Sequence, residues 1–320
     1  MNYQKKINVG KDFHHDSASL QVSGEAIYID DMIKNSELMH ASLVTSDIAC
    51  GTILEIDISK LKELPFKTYF ITANDIPGKN DVGPIFSGEP ILAEKEISYY
   101  GQPIGVVVAD SFHKAKYASK LVKVKTKNNN PILNVNDAFK KKSFLAKPQV
   151  IENGDAEKSI KNSSNKLKGV FTIGGQDHFY LETHVAISSI GENDELTVWS
   201  STQHPTEVQH GVSKVLNIPY AKVESKTRRL GGGFGGKESQ ATIFACISAL
   251  ATYKLKHPVK LRLDRKTDMT VSGKRHDFQV RYNVGFSENG KINGIKIILL
   301  SNGGNVLDLS GPVMLSLIHI

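Results

Sequence analysis

The 320-residue sequence contains two cysteines, Cys50 and Cys246, and a single tryptophan. Two thiols exclude a disulfide framework, and they exclude any iron–sulfur cluster held by four thiolates of this chain. Cys246 lies in an apolar segment and reads as a small buried hydrophobe, whereas Cys50 precedes a glycine in a turn-like stretch. No apolar run reaches the ~18 residues that a membrane helix needs. The opening residues 1–10 are basic but lack a following apolar core of ~7–15 residues, so they do not read as a secretory signal. These absences predict a cytoplasmic protein with no membrane partner. A net charge of +7 and a pI near 9.1 raise the question of nucleic acid. The lysines are dispersed, however, and aromatics do not interleave with them. The excess reads as solvated surface charge, with no nucleic-acid partner.

What is present reads as a mixed α/β chain of the α+β class, 40% hydrophobic and 23% charged. Residues 18–128 form a first unit. Strands are expected at residues 26–29, 38–44, 52–58 (alternating with period two) and 103–109. Asp110-Ser111 caps a helix whose apolar positions are Ala115, Ala118, Leu121 and Val122. Residues 129–167 are polar and read as a connecting segment. Residues 168–314 form a second α/β unit, with strands expected at 168–173, 196–201, 223–230, 259–263 and 292–300. Residues 315–320 are an atypical tail, expected as an apolar strand.

The most informative stretch is Arg229-Leu230-Gly231-Gly232-Gly233-Phe234-Gly235-Gly236-Lys237-Glu238, before a long apolar helix over residues 241–255 that Pro258 helps to end. A glycine loop opening a helix presents unpaired backbone N–H groups, an anion cradle. Two nucleotide patterns match by letters. Gly231, Gly233 and Gly236 fit G-x-G-x-x-G, and Gly231, Gly236 and Lys237 fit the phosphate loop G-x-x-x-x-G-K. The phosphate loop then needs a Ser or Thr where Glu238 stands. The dinucleotide pattern needs an acid ~20 residues on, where Asp264 comes late and is flanked by arginines. A tight packing turn is the plain alternative. Phe234, a large ring among five glycines, suggests a loop wrapping a bulky, flat, anionic ligand. Asp177, His178, Glu182 and His184 could be taken for a metal cluster, but their spacing on an extended segment scatters them over both faces.

Together with Gly174-Gly175-Gln176-Asp177-His178-Phe179-Tyr180-Leu181-Glu182, this loop resembles the large subunit of xanthine dehydrogenases. The segments His15-Asp16-Ser17-Ala18, Tyr28-Ile29-Asp30-Asp31, Gly101-Gln102-Pro103-Ile104 and Ser201-Thr202-Gln203-His204-Pro205-Thr206 agree in order. So do the stretches from Asp264-Arg265 to Gly273-Lys274-Arg275-His276-Asp277-Phe278 and Asp308-Leu309-Ser310.

The resemblance implies an α/β hammerhead domain at 18–128 followed by the first part of a molybdopterin-binding domain. It implies that Gln176, through a buried side-chain amide, and the Phe234 backbone meet molybdenum through its oxo ligands, with Gly233 and Gly235 in the cofactor loop. Glu238 would bind and polarise a purine, since the related aldehyde oxidases typically carry an apolar residue there. The implied chemistry is oxidation of xanthine or hypoxanthine to urate with water as the oxygen source. Electrons would leave through 2Fe-2S centres and FAD to NAD. With two cysteines, those centres are expected on a separate small subunit, as in the bacterial two-subunit arrangement, in a hetero-oligomer with dimerised large subunits. The family's glutamate base lies beyond this chain, so no catalytic residue is expected here, and the sequence is expected to be a C-terminally truncated piece, inactive alone. An aldehyde or other N-heterocycle oxidoreductase, or a non-catalytic assembly module, are the alternatives.

Overall fold

The computed structural model describes residues 10–32 and 37–317. Residues 1–9 of the basic opening and residues 318–320 of the tail lie outside the described residues. In chain order the first half contains α1 (Ala18–Ser23), β1 (Met39–Thr45), β2 (Gly51–Asp57), β3 (Tyr69–Thr72), β4 (Glu96–Ile97), β5 (Pro103–Ala109), α2 (Phe112–Ser119) and β6 (Lys123–Asn128). Then follow α3 (Val135–Lys140), α4 (Ala156–Asn162), β7 (Asn165–Ile173), β8 (Val185–Ile190), β9 (Leu196–Ser200), α5 (Pro205–Leu216) and β10 (Val223–Lys226). The last elements are α6 (Gln240–Leu255), β11 (Val259–Arg262), α7 (Arg265–Val271), β12 (Phe278–Phe286), β13 (Ile292–Ser301) and α8 (Ser310–Ser316).

The described strands form one seven-stranded and two three-stranded sheets. The large sheet runs β10-β9-β8-β11-β1-β5-β3 and draws on both halves of the chain, because β1 pairs in parallel with β11, Met39 opposite Val259. β5 is buried along its whole length between β1 and β3, as its unbroken Pro-Ile-Gly-Val-Val-Val-Ala run predicts. α6 is apolar on every side and lies in the main core against β8, β11 and α5. Burying Phe244, Ile247 and Leu250, each no more than 2% exposed, contributes on the order of 1.5–3 kcal/mol per side chain. Lys256 ends the helix in the left-handed conformation, two residues before Pro258. In the sheet β13-β12-β7, one face is covered by α4, while Leu167, Phe171, Ile295 and Ile297 remain exposed.

Three expectations are corrected. Residues 26–29 are not a strand: the Asp31 carboxylate accepts from the Tyr28 amide at 3.0 Å and folds Ile29–Asp31 into a single 3-10 turn. The turn seats Ile29 in a small core with Leu38, Val185 and Ile187. The strand expected over 223–230 stops at Lys226, where the Thr227 hydroxyl donates to the Ser200 carbonyl at 2.8 Å and turns the chain out of the sheet. The tail is helical as far as it is described. α8 satisfies its own backbone groups, which a strand without a neighbour could not do.

Candidate functional site

Five glycines hold no loop in one shape by themselves, because glycine is the residue with most freedom to lose on ordering. Here the shape comes from two neighbouring segments. The Gln203 side-chain oxygen accepts from the Gly235 amide at 3.0 Å and the Lys237 amide at 3.2 Å. Glu182 Oε2 accepts from the Gly231 amide at 2.9 Å, and the Glu182 amide donates back to the Gly231 carbonyl at 3.0 Å. A tight turn joins the Gly236 amide to the Gly233 carbonyl at 2.8 Å. Gln203 is positioned by the start of α5, where His204 Nδ1 caps the Glu207 amide at 3.0 Å and Pro205 occupies the first helical position.

Gly231, Gly233 and Gly236 are required by proximity, Gly232 and Gly235 by their positive φ. A Cβ at Gly233 would stand 2.5 Å from Gln203 Oε1, and one at Gly236 would stand 2.7 Å from the His178 ring. Phe234 adopts φ 55°, the left-handed region that a bulky residue normally avoids, and its side chain is 74% exposed. That conformation costs about 1–2 kcal/mol, and outliers of this kind gather at functional sites.

The anion cradle expected from the sequence is therefore narrower and differently built. The loop does not open the helix directly, since α6 begins at Gln240 and Ser239 turns its hydroxyl to Asp308 at 2.9 Å. Four loop amides are satisfied internally. Those of Gly232, Gly233 and Phe234 have no hydrogen-bond partner among the described residues.

Both nucleotide readings fail on geometry. Lys237 is fully buried, with Nζ 3.1 Å from Glu182 Oε2 and 4.6 Å above the Tyr180 ring, so it is not available to a phosphate. Burial pulls the Lys237 pKa below the usual lysine range, partly offset by the Glu182 carboxylate. Asp264 is held by Lys116 at 2.5 Å and caps α7 through the Thr267 amide at 3.0 Å, which leaves it no ribose to bind. Nor do Asp177, His178, Glu182 and His184 converge on a metal. Asp177 pairs with Lys274 at 3.1 Å, His178 packs over Gly236, and Glu182 pairs with Lys237. His184 is buried and stacked on Tyr180, with burial holding its pKa well below the usual histidine value.

Gln176 follows β7 and forms an isolated bridge with Arg275, its amide 3.3 Å from the Arg275 carbonyl. Its side chain is exposed, not buried as expected, because β7 has ended and no described segment covers it. Its segment still meets the glycine loop, through the His178 contact with Gly236.

Glu238 is half-buried, and its side chain has no hydrogen-bond partner among the described residues. Sequence reasoning missed the acidic neighbours around the start of α6. Gln240 Nε2 lies 3.1 Å from Glu89 Oε1 and 3.5 Å from Asp308 Oδ2, so one amide bridges two carboxylates. Burial, then the Asp308 charge, raise the Glu89 pKa to about 7. Burial also raises that of Glu207 to about 7, with His204 opposing and Asp308 and Glu238 reinforcing. Neither Glu89 nor Glu207 lies in a motif, and Glu89 reaches the site from a loop organised by Asp81, which accepts from the Gly83, Gly88 and Glu89 amides.

Free amide donors on a loop pressed against its support at Gly231, Gly233 and Gly236, with the exposed Gln176 amide on the adjoining segment, suit an oxygen-rich anionic group. The residues present thus fit a molybdenum–pterin cofactor. Residues 139–320 match the family model "Molybdopterin cofactor-binding domain", and residues 23–130 match "Aldehyde oxidase and xanthine dehydrogenase, a/b hammerhead domain". The chain is 40% identical over 316 residues to the xanthine dehydrogenase of Dictyostelium discoideum, covering 98% of this chain and 23% of that protein. It is 38% identical over 302 residues to aldehyde oxidase 2 of Macaca fascicularis, covering 94% of this chain and 22% of that protein. Its fold matches quinoline 2-oxidoreductase from Pseudomonas putida 86 with a TM-score of 0.80 at 20% identity, over 92% of this chain and 39% of that one. The chain spans under a quarter of the length of these curated relatives. It belongs to the molybdopterin cofactor-binding family of the xanthine dehydrogenases and aldehyde oxidases, with the hammerhead domain preceding the cofactor-binding domain.

Proposed function

We propose that this chain forms one wall of the cofactor and substrate pocket of a molybdenum hydroxylase that oxidises xanthine or hypoxanthine to urate. The observation that carries this reading is the clamped glycine loop. It holds Phe234 left-handed beside free amides and carries Glu238 four residues further on. When bound, a molybdenum–pterin group supplies two-electron oxidation of an electron-poor ring carbon, with water as the oxygen source.

The chain's own residues bind and orient. The Phe234 amide and the Gln176 side-chain amide would hold the cofactor by donating to its oxygens. Gly233 and Gly235 keep the loop backbone close to that group. Glu238 meets the polar edge of the purine and polarises it as charge develops, an interaction of the kind that lowers a barrier most when it strengthens in the transition state. The reading extends to a partner subunit carrying FAD and 2Fe-2S centres, with NAD as acceptor, and to a cytoplasmic hetero-oligomer with dimerised large subunits. Among the described residues no helix is long and apolar enough to cross a membrane.

The 38% identity to an aldehyde oxidase favours a second reading, in which the substrate is an aldehyde or another heterocycle. Glu238 separates the two. In cofactor-loaded enzyme, Glu238→Ala should lower kcat/KM for xanthine by about 100-fold, as for loss of one transition-state hydrogen bond. Aldehyde turnover and molybdenum content should stay within about twofold of the parent. Equal turnover of xanthine by parent and variant would remove the purine reading.

A further inference from the structure

Lys237 occupies the position at which a phosphate loop presents its lysine, yet it is 0% exposed and turned into the protein. Its ammonium lies 3.1 Å from Glu182 Oε2, the same oxygen that accepts from the Gly231 amide at 2.9 Å. Its backbone is held on both sides. The Lys237 amide donates to Gln203 Oε1, and its carbonyl accepts from the Gln203 amide at 2.8 Å. Beneath it, the Tyr180 ring faces the ammonium at 4.6 Å, and the Tyr180 hydroxyl is fixed by Asp268 at 2.7 Å. The ion pair therefore ties the two ends of the loop, Gly231 and Lys237, to one carboxylate.

A buried ion pair is a poor source of net stability, because desolvation of both charges offsets their attraction; in some proteins its benefit is instead to fix one arrangement among several. A loop of five glycines has many arrangements to choose from. We propose that Lys237 is a positioning residue. Through its buried pair with Glu182 it selects the loop conformation in which the Gly232, Gly233 and Phe234 amides stand free to receive the cofactor. The free amides are observed; their cofactor role rests on the function proposed above.

The test compares the full chain with Lys237→Met and with Lys237→Met/Glu182→Gln, the second keeping an acceptor for the Gly231 amide. The single variant leaves a buried carboxylate unpaired and should be destabilised. The double variant replaces the pair by neutral side chains, leaves no unpaired charge, and should recover most of that loss. Hydrogen exchange is then followed by mass spectrometry on peptides covering 229–239, with α6 and β8 as internal references. In the double variant, exchange in the loop should quicken by at least tenfold while the references keep their parental rates. Loop exchange at the parental rate in a stable double variant would overturn the proposal, since the pair would then be packing alone. Molybdenum per folded chain, measured by mass spectrometry after expression in a host that makes the cofactor, should fall at least fivefold in the double variant. Parental molybdenum content in a double variant with a loosened loop would also overturn it. If the parent chain, within its assembled enzyme, binds no molybdenum while the variant loop loosens, the cofactor reading fails and the selection of loop shape by Lys237 stands.

Discussion

Adding one methyl group at Gly233 tests whether the loop is clamped as described. The Cβ of Gly233→Ala would lie 2.5 Å from Gln203 Oε1, 2.7 Å from its Cδ and 3.0 Å from its Cγ. Backbone conformation is not the obstacle, because Gly233 does not have a positive φ. The Gln203 side chain must therefore move, and it cannot do so without releasing the Gly235 and Lys237 amides. Overpacking costs about 1–3 kcal/mol, and two hydrogen bonds about 1 kcal/mol each. Relaxation of Gln203 trades part of one cost against the other, so the net destabilisation expected is about 2–4 kcal/mol. At about 2 °C per kcal/mol for a chain of this size, Tm should fall by roughly 4–8 °C. Gly174→Ala is the control, since a Cβ there meets nothing within 4 Å. Thermal melts followed by circular dichroism decide the matter. A Gly233→Ala melt within 1 °C of the parent would refute the clamp.

Glu89 gives a pH-dependent prediction. Its folded pKa is raised from 4.5 to about 7, so the folded chain keeps a proton that the unfolded chain releases. Stability should therefore fall as pH rises from about 4.5 to about 7 and remain lower above that range. Glu89→Gln, neutral throughout and still able to accept from Gln240, should raise Tm at pH 8 by several degrees and leave it nearly unchanged at pH 5. An identical difference at both pH values would contradict the assignment. The two thiols should also separate. Cys246 is buried and its thiol pKa is pushed up by burial, whereas Cys50 is partly exposed. A thiol reagent should modify Cys50 in the folded protein and reach Cys246 only in denaturant; labelling of Cys246 at the rate of Cys50 would show that α6 is not the closed core helix described.

The large elements were legible because their patterns are local. β5 is a continuous apolar run and α6 is apolar on all faces, so each announces its burial without reference to the rest of the chain. The parallel pairing of β1 with β11 was not legible, because nothing in either strand encodes a partner so far along the sequence. The site divides the same way. The glycine loop stands out as a pattern, but the direction of Lys237 depends on Glu182, 55 residues earlier, and letters alone place it as readily in a phosphate loop. Gln203 stood only as one letter of the Ser201–Thr206 stretch, although it holds two loop amides. Glu89, Glu207 and Asp308 come from three separate segments, and only the packing around α6 makes neighbours of them. The strand expected at residues 26–29 failed because a carboxylate one turn ahead competed successfully for the Tyr28 amide.

The glycine loop and the Gln176 segment are proposed together to receive a molybdenum–pterin group. Anomalous diffraction above and below the molybdenum absorption edge, on crystals of the protein produced in a host that makes the cofactor, tests it most directly. A molybdenum peak is expected beside the Phe234 backbone and the Gln176 side chain, with Lys237 still turned inward onto Glu182. A peak remote from both segments, or a nucleotide phosphate seated on an outward-turned Lys237, would contradict it.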